Sequence, residues 1–427
     1  MNDYRIHLEP FRMARPPFVL WLANINEDQS WNETALFPSF VKSQRSTLIE
    51  QQEQQLLWIA EPQDVVWLLH PLDPQYLEYV KSHRDQLPHI CVTTDTGEVA
   101  DFVERVSTEP PTFMPFMLTS AFVTLAEQYG WHLIHSNVNV VKQVNSKYVT
   151  RRLAEEHGFA ITKGKFCYNP QELIEAYNQM RAEGFTKTVL KQAYGSSGKG
   201  LTIIESEDKF RQVSSYIRKR FDRFELLLEA WHPTKHSLNA QLWMDQNSVN
   251  LLAVTEQRIN DYGVYIGTNY TPHYDVAIMD EYRAEMLRLG AVLRQCGYAG
   301  IAGVDSILDE QDHLYPVIEI NGRFTQVTYL LPFIESLLPS YTYIESRYIQ
   351  METSDTHTFE DIQSRFKIEL QPDADNLFTI YTFAFDHQPH MNVYRIFILF
   401  YGNEAAKLSD MLDKFGRITM LQGGVCS

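Results

Sequence analysis

The chain has 427 residues, 44% of them hydrophobic, 13% aromatic and 21% charged, a globular composition that excludes disorder and a length that calls for two or three domains. Its 37 Lys and Arg stand against 54 Asp and Glu, a formal charge of -17, so a nucleic-acid partner is not expected. Four widely spaced cysteines (Cys91, Cys167, Cys296 and Cys426), a charged N-terminus and no apolar run of the roughly 18 residues that a membrane span needs point to a cytoplasmic chain with free thiols.

From the N-terminus, the short apolar runs "FVLWLAN" (18–24), "DVVWLLH" (64–70), "HICVTTD" (89–95) and "WHLIHS" (131–136) alternate with helix-compatible stretches. This pattern predicts buried parallel strands in an α/β layer. The first run leads into "ANINEDQS", which lacks GxGxxG, so a nicotinamide cofactor is not expected. A second unit opens at "NSKYVTRRLAEEHGF", where Asn145 or Ser146 can cap a helix that Gly158 ends. "FTKTVLKQ" and "LTIIES" read as strands around a glycine loop, followed by a helix and the strand "FELLLEA". Strands near "SLNAQLWMD" and "NLLAVTEQRI", a Gly/Tyr-rich stretch 261–270, a helix over about 280–296, and the strands "IAGVDSIL" and "LYPVIEIN" complete the unit. Residues 346–375 read as a linker or long crossover, and the tail as two strands around "DHQPHM" followed by a helix from Asn403 to about Phe415. The expected fold class is multidomain α/β and α+β: an N-terminal α/β domain (1–140), a core of antiparallel sheets with helices (141–345) and a C-terminal α+β segment (346–427).

The loop "KQAYGSSGKG" (191–200) is not a Walker A motif, because Ala193 stands where glycine is required and Gly200 where Ser or Thr is required. It also runs from strand to strand. Glycines at 195, 198 and 200 let the backbone N–H groups close over phosphates, with Ser196 and Ser197 between them and Lys191 just before; an ordinary hairpin loop is the alternative. In "LYPVIEINGR", Glu319, Asn321 and Arg323 share a strand face by their spacing of two, with Ile318 and Ile320 directed into a core. Asp305 sits on the preceding strand. Asp305, Glu319 and Asn321 offer the hard oxygen ligands that Mg2+ takes beside substrate phosphates, and Arg323 adds a phosphate or acyl-phosphate partner. Glu256 and Arg258 in "TEQR" share a face as substrate-orienting groups or as an ordinary ion pair. "DYGVYIGTNY" is a candidate substrate loop with Gly263 and Gly267 as hinges, or an aromatic-rich packing loop. Pro233 between His232 and His236 argues against a zinc site.

Lys147 at a helix start, Lys191 before the Gly/Ser flap, "LLLEAW" ending a strand, and Asp305 with "EIN" at Glu319 and Asn321 follow one another as in the ATP-grasp superfamily, which residues 140–335 resemble. The resemblance implies an ATP-grasp core after a domain of the kind that precedes such cores. It also implies that Lys147 and Lys191 hold ATP phosphates, Gly195 to Gly200 form the flap, and Glu229, Ala230 and Trp231 form the adenine hinge. His236 would lie near the ribose, and Asp305, Glu319 and Asn321 would carry Mg2+, with Mn2+ as the alternative ion. The arrangement is similar to ligases of natural-product and antibiotic pathways, including those that load an amino acid onto a carrier protein. The implied activity is ADP-forming ligation of a small carboxylic acid to an amine or to an acyl-carrier-protein thiol, with Arg323, Lys191 and Arg258 as the reacting-centre residues. The alternatives are an ATP-binding regulatory module and a phosphotransferase; a homodimer is left open, and neither nucleic acid nor membrane is an expected partner.

Overall fold

The structure is a computed structural model that describes residues 6–25, 27, 31–32, 46–134, 137–195, 200–260, 264–388 and 390–418. The N-terminal layer is a parallel sheet of β1 (Val19–Leu22), β2 (Val65–Leu68), β3 (His89–Val92), β4 (Thr112–Pro115) and β5 (His132–Leu133), in the order β3-β2-β1-β4-β5. β1 and β2 are buried at every residue, as expected of parallel strands covered on both faces. The sequence reading finds four of these strands and misses β4. Prolines at 110, 111 and 115 read as breakers, yet Thr112 N–H still donates to Phe18 O and β4 pairs with β1 from Thr112 to Pro115.

A small antiparallel sheet follows: β6 (Gly164–Cys167), β7 (Thr188–Lys191), β8 (Leu201–Ile204) and β9 (Leu226–Ala230), in the order β6-β9-β7-β8. Two helices, Pro170–Ala182 and Glu207–Arg218, cover it and form a separate core in which the Tyr177 and Phe210 rings stack 3.7 Å apart. The third layer is an eight-stranded antiparallel sheet. Its strands are β10 (Thr234–Met244), β11 (Val249–Ile259), β12 (Tyr265–Asn269), β13 (Gly300–Asp309), β14 (Leu314–Asn321), β15 (Tyr343–Thr353), β16 (Asn376–Gln388) and β17 (Met391–Gly402), in the order β14-β13-β10-β11-β12-β15-β17-β16.

Four expectations need correction. Residues 346–375 are not a linker: β15 crosses position 345 and pairs with both β12 and β17, and a capping box at Thr358 starts the helix Phe359–Leu370. The stretch proposed as a substrate loop contains β12, a ladder strand; Gly263 lies outside the described residues, and Gly267 is no hinge. A Cβ there would sit 2.0 Å from Ser346 O, so glycine is required by the close approach of β15. Ile318 is not core but half-buried and lines the main cavity, because the β13–β14 register slips between Asp305 and Ile307. The helix expected over 280–296 starts earlier, at Val276. Of the cysteines, Cys91, Cys167 and Cys296 are free, and Cys426 lies outside the described residues. No helix among the described residues is long and apolar enough to cross a membrane.

Candidate functional site

The three layers meet around one cavity of about 740 Å³. Its walls include Lys191, Leu201 and Glu229 from the small sheet, Thr234, Asp305, Ile318 and Glu319 from the large one, and Phe116 from the N-terminal layer.

Ser146, not Asn145, caps the helix Lys147–Glu156: its side chain accepts from Val149 N–H. Asn145 instead ends the preceding helix and donates to Gly322 O. Capping fixes Lys147 at the first helical position, 3% exposed, where its Nζ donates to Gly195 O at 2.6 Å and to Glu319 Oε1 at 2.8 Å. One ammonium therefore joins the base of the glycine loop to the acidic strand. β7 and β8 make the loop a hairpin, closed by Gln192 N–H donating to Gly200 O and by Lys147 N–H donating to Ala193 O. Gly195 and Gly200 take positive φ, 133° and 76°, which glycine alone adopts without strain. Ser196, Ser197 and Gly198 lie outside the described residues.

Lys191 Nζ lies 2.5 Å from Glu229 Oε2, and Arg151 Nη1 lies 2.9 Å from Glu229 Oε1. Burial alone would raise the Glu229 carboxyl, but Lys191 and then Arg151 override it and hold it below its ordinary range. Glu229 thus works through its side chain as the anchor of Lys191. Ala230 N–H donates to Lys163 O and Trp231 N–H to Lys187 O, so these two amides are engaged rather than free at the strand end. His236 does not line the cavity; its Nδ1 contacts Glu256 Oε1 at 2.8 Å and its ring packs edge-on against Tyr274.

Asp305 and Glu319 pair directly across β13 and β14. Burial first, and then the Glu319 charge, push the Asp305 carboxyl up to about 6. Asn239 and Gln257 side-chain amides donate to Asp305 Oδ1, both at 2.7 Å, and Asn321 Nδ2 donates to Oδ2 at 3.3 Å. Two facing carboxylates, one paired with Lys147 and the other feeling the charge of Arg323, form an oxygen-rich array suited to a hard divalent ion. Arg323 Nη2 donates to Asn321 Oδ1 at 2.8 Å, its guanidinium lies 4.7 Å over the Phe116 ring, and its Nε has no partner. Arg258 donates to Glu345 Oε2 and lies 3.4 Å from Glu256 Oε1, so the Glu256–Arg258 pair belongs to a larger ion cluster with Arg347.

Sequence reasoning misses Arg151, Asn239, Gln257, Glu345, Arg347 and Arg395. Arg347 falls within the stretch read as a linker. Arg395 carries a usable signal, the one charge inside "VYRIFILF", a strand otherwise buried and apolar.

A model of the ATP-grasp domain matches residues 144–327. Over 391 residues the chain is 40% identical to the [butirosin acyl-carrier protein]–L-glutamate ligase of Niallia circulans, covering 91% of this chain and 92% of that one. Among solved structures, the N5-carboxyaminoimidazole synthetase of Staphylococcus aureus with ADP is similar at a TM-score of 0.55 and 11% identity, covering 93% and 96% of the two chains. The biotin carboxylase of Campylobacter jejuni is similar at a TM-score of 0.54 and 12% identity, covering 93% and 90%. At such identities the structural likeness is one of fold.

Proposed function

Because the chain belongs to the ATP-grasp family and is an ADP-forming ATP-dependent ligase, we propose that it activates the carboxylate of an amino acid and transfers the acyl group to a carrier-protein thiol, or to an amine. The carrier-protein acceptor is supported by the activity for which the Niallia circulans relative is named. The observation that carries the site is Lys147 Nζ, held at once by Gly195 O of the glycine loop and Oε1 of Glu319. It supports a single compartment in which lid and acids act on the same triphosphate.

In this reading a carboxylate oxygen of the acid attacks the γ-phosphorus of ATP, the bond to the bridging oxygen breaks, and ADP leaves. The acyl phosphate is then attacked at carbon by the acceptor thiol or amine; the carbon–oxygen bond breaks, phosphate leaves, and the acceptor gives up its proton. Phosphorylation replaces an oxide leaving group with phosphate. Asp305, Glu319 and Asn321 would hold Mg2+, or Mn2+, which supplies charge neutralisation at phosphate oxygens. Lys191, aimed by Glu229, and Lys147 neutralise phosphate charge, and Arg323, stacked on Phe116, steadies the transferring phosphoryl group. The glycine loop excludes water that would hydrolyse the acyl phosphate.

The test is ADP release by the purified chain with ATP, Mg2+ and a panel of amino acids, with and without a carrier protein bearing its thiol arm. Acid-dependent ADP release and a mass increase on the carrier are expected. ADP release with a stable phosphorylated product, and no acyl transfer to any acceptor, would contradict the reading.

A further inference from the structure

Six cationic side chains line the cavity, and among the described residues four have acids: Lys191 with Glu229, Lys235 with Asp312, and Arg258 and Arg347 with Glu345. Arg323 and Arg395 do not. Arg395 is 8% exposed, lies 4.7 Å from the Tyr348 ring centre and 5.4 Å from that of Phe397, and its Nε has no hydrogen-bond partner. A guanidinium buried against two rings, with no anion, is costly to retain for packing alone.

The wall beside it is built to a three-residue period. Gln51–Gln55, "QQEQQ", is a 3-10 helix, so positions three apart share a face. Gln51 and Gln54 each make a two-way amide pairing with the free edge of β16: Nε2 donates to Phe385 O and Phe383 O, and the N–H groups of those residues donate back to Oε1. Glu53, on the second face, accepts from Leu69 and His70 N–H. The third face carries Gln52 and Gln55, which line the cavity. Gln55 Nε2 is buried with no partner. Its neighbour Gln54 is tied to Phe383, and the next residue on that strand, Ala384, pairs with Arg395 across β16 and β17. Gln326, three residues beyond Arg323, donates to Gln52 and keeps an unpartnered buried Oε1. Two arginines with spare donors, joined by a chain of glutamines, thus face one cavity.

We propose that the acid is a dicarboxylate, an acidic amino acid, whose second carboxylate is bound by Arg395 and Gln55 while Arg323 serves the carboxylate being activated. Gln326 Oε1 is the acceptor for the amino group. This assignment rests on the ligase reading and adds to it the residues that set the acid's specificity.

The experiment measures kcat/KM for ADP release with glutamate and with glutamine, a pair that differs only in a carboxylate and its amide. It uses the full chain with ATP, Mg2+ and hydroxylamine as acceptor, so that any acyl phosphate is trapped as a hydroxamate. Wild type is expected to favour glutamate by at least ~100-fold, since a site built for one polar group rejects the analogue that cannot match it. Arg395→Gln should bring the ratio below ~10 with KM for ATP unchanged, and Arg395→Lys should fall between. Gln55→Leu should raise KM for glutamate alone; with Arg395→Lys it provides the test should Arg395→Gln not melt cooperatively. Unchanged selectivity in these variants, or a wild type that turns over monocarboxylic amino acids only, would each overturn the second-carboxylate site while leaving the ligase reading standing. ADP release with no acid would overturn both.

Discussion

Lys147, Glu319 and Asp305 set the electrostatics of the centre. Two acids face each other across β13 and β14, and the nearest cation is spent partly on a loop carbonyl. Replacing Lys191 by Ala leaves Glu229 paired with Arg151, so the fold should persist while kcat falls by about 10²- to 10³-fold, as when one preorganised charge donor is removed. Stopped assays of ADP beside a thermal melt check both halves. Glu319→Ala should be equally inactive and should lose its Mg2+ dependence. Gly267→Ala belongs to stability instead: its Cβ would meet Ser346 O at 2.0 Å, and the overpacking should cost about 1–3 kcal/mol in urea unfolding. Acids and lysines at regular spacing were legible in the sequence, because strand and helix periods place them. Arg151, Asn239 and Gln257 were not, because their partners lie 78, 66 and 48 positions away.

The 3-10 helix Gln51–Gln55 locks an edge strand. Edge strands present unpaired backbone groups, and Gln51 and Gln54 satisfy those of β16 at alternate residues. Gln54→Ala leaves two buried backbone groups without partners and should cost about 1–3 kcal/mol in a urea titration. The same helix is pinned by His70, whose imidazole meets Glu53 Oε1 at 3.1 Å; this hydrogen bond raises the His70 pKa above 6.5. A raised folded-state value contributes stability that is complete below the ordinary value and is lost as pH climbs through the raised one. The stability gap between wild type and His70→Asn should therefore narrow as pH rises past 6.5, read from urea midpoints at constant salt. Continuous apolar runs made most strands readable. β4, hidden among prolines, and β15, alternating with charged residues such as Glu345 and Arg347, were not, because neighbouring strands rather than local composition fix them.

At the scale of the molecule, the cavity exists because a small sheet carrying the glycine hairpin and a large sheet carrying the acids close on each other, with Phe116 and the glutamine helix of the N-terminal layer as a further wall. The antiparallel core, its preceding parallel layer and the ATP-dependent ligase chemistry were all legible in motif order. The joining of the last 80 or so residues to the same sheet was not, since strand pairing across β15 and β17 leaves no local mark. The whole arrangement commits the protein to activating its acid through phosphate. Turnover of an amino acid labelled with ¹⁸O in its carboxylates, followed by mass spectrometry of the phosphate released, tests this most directly. One labelled oxygen should appear in each inorganic phosphate, with ADP as the nucleotide product; unlabelled phosphate, or label found in AMP, would contradict the account.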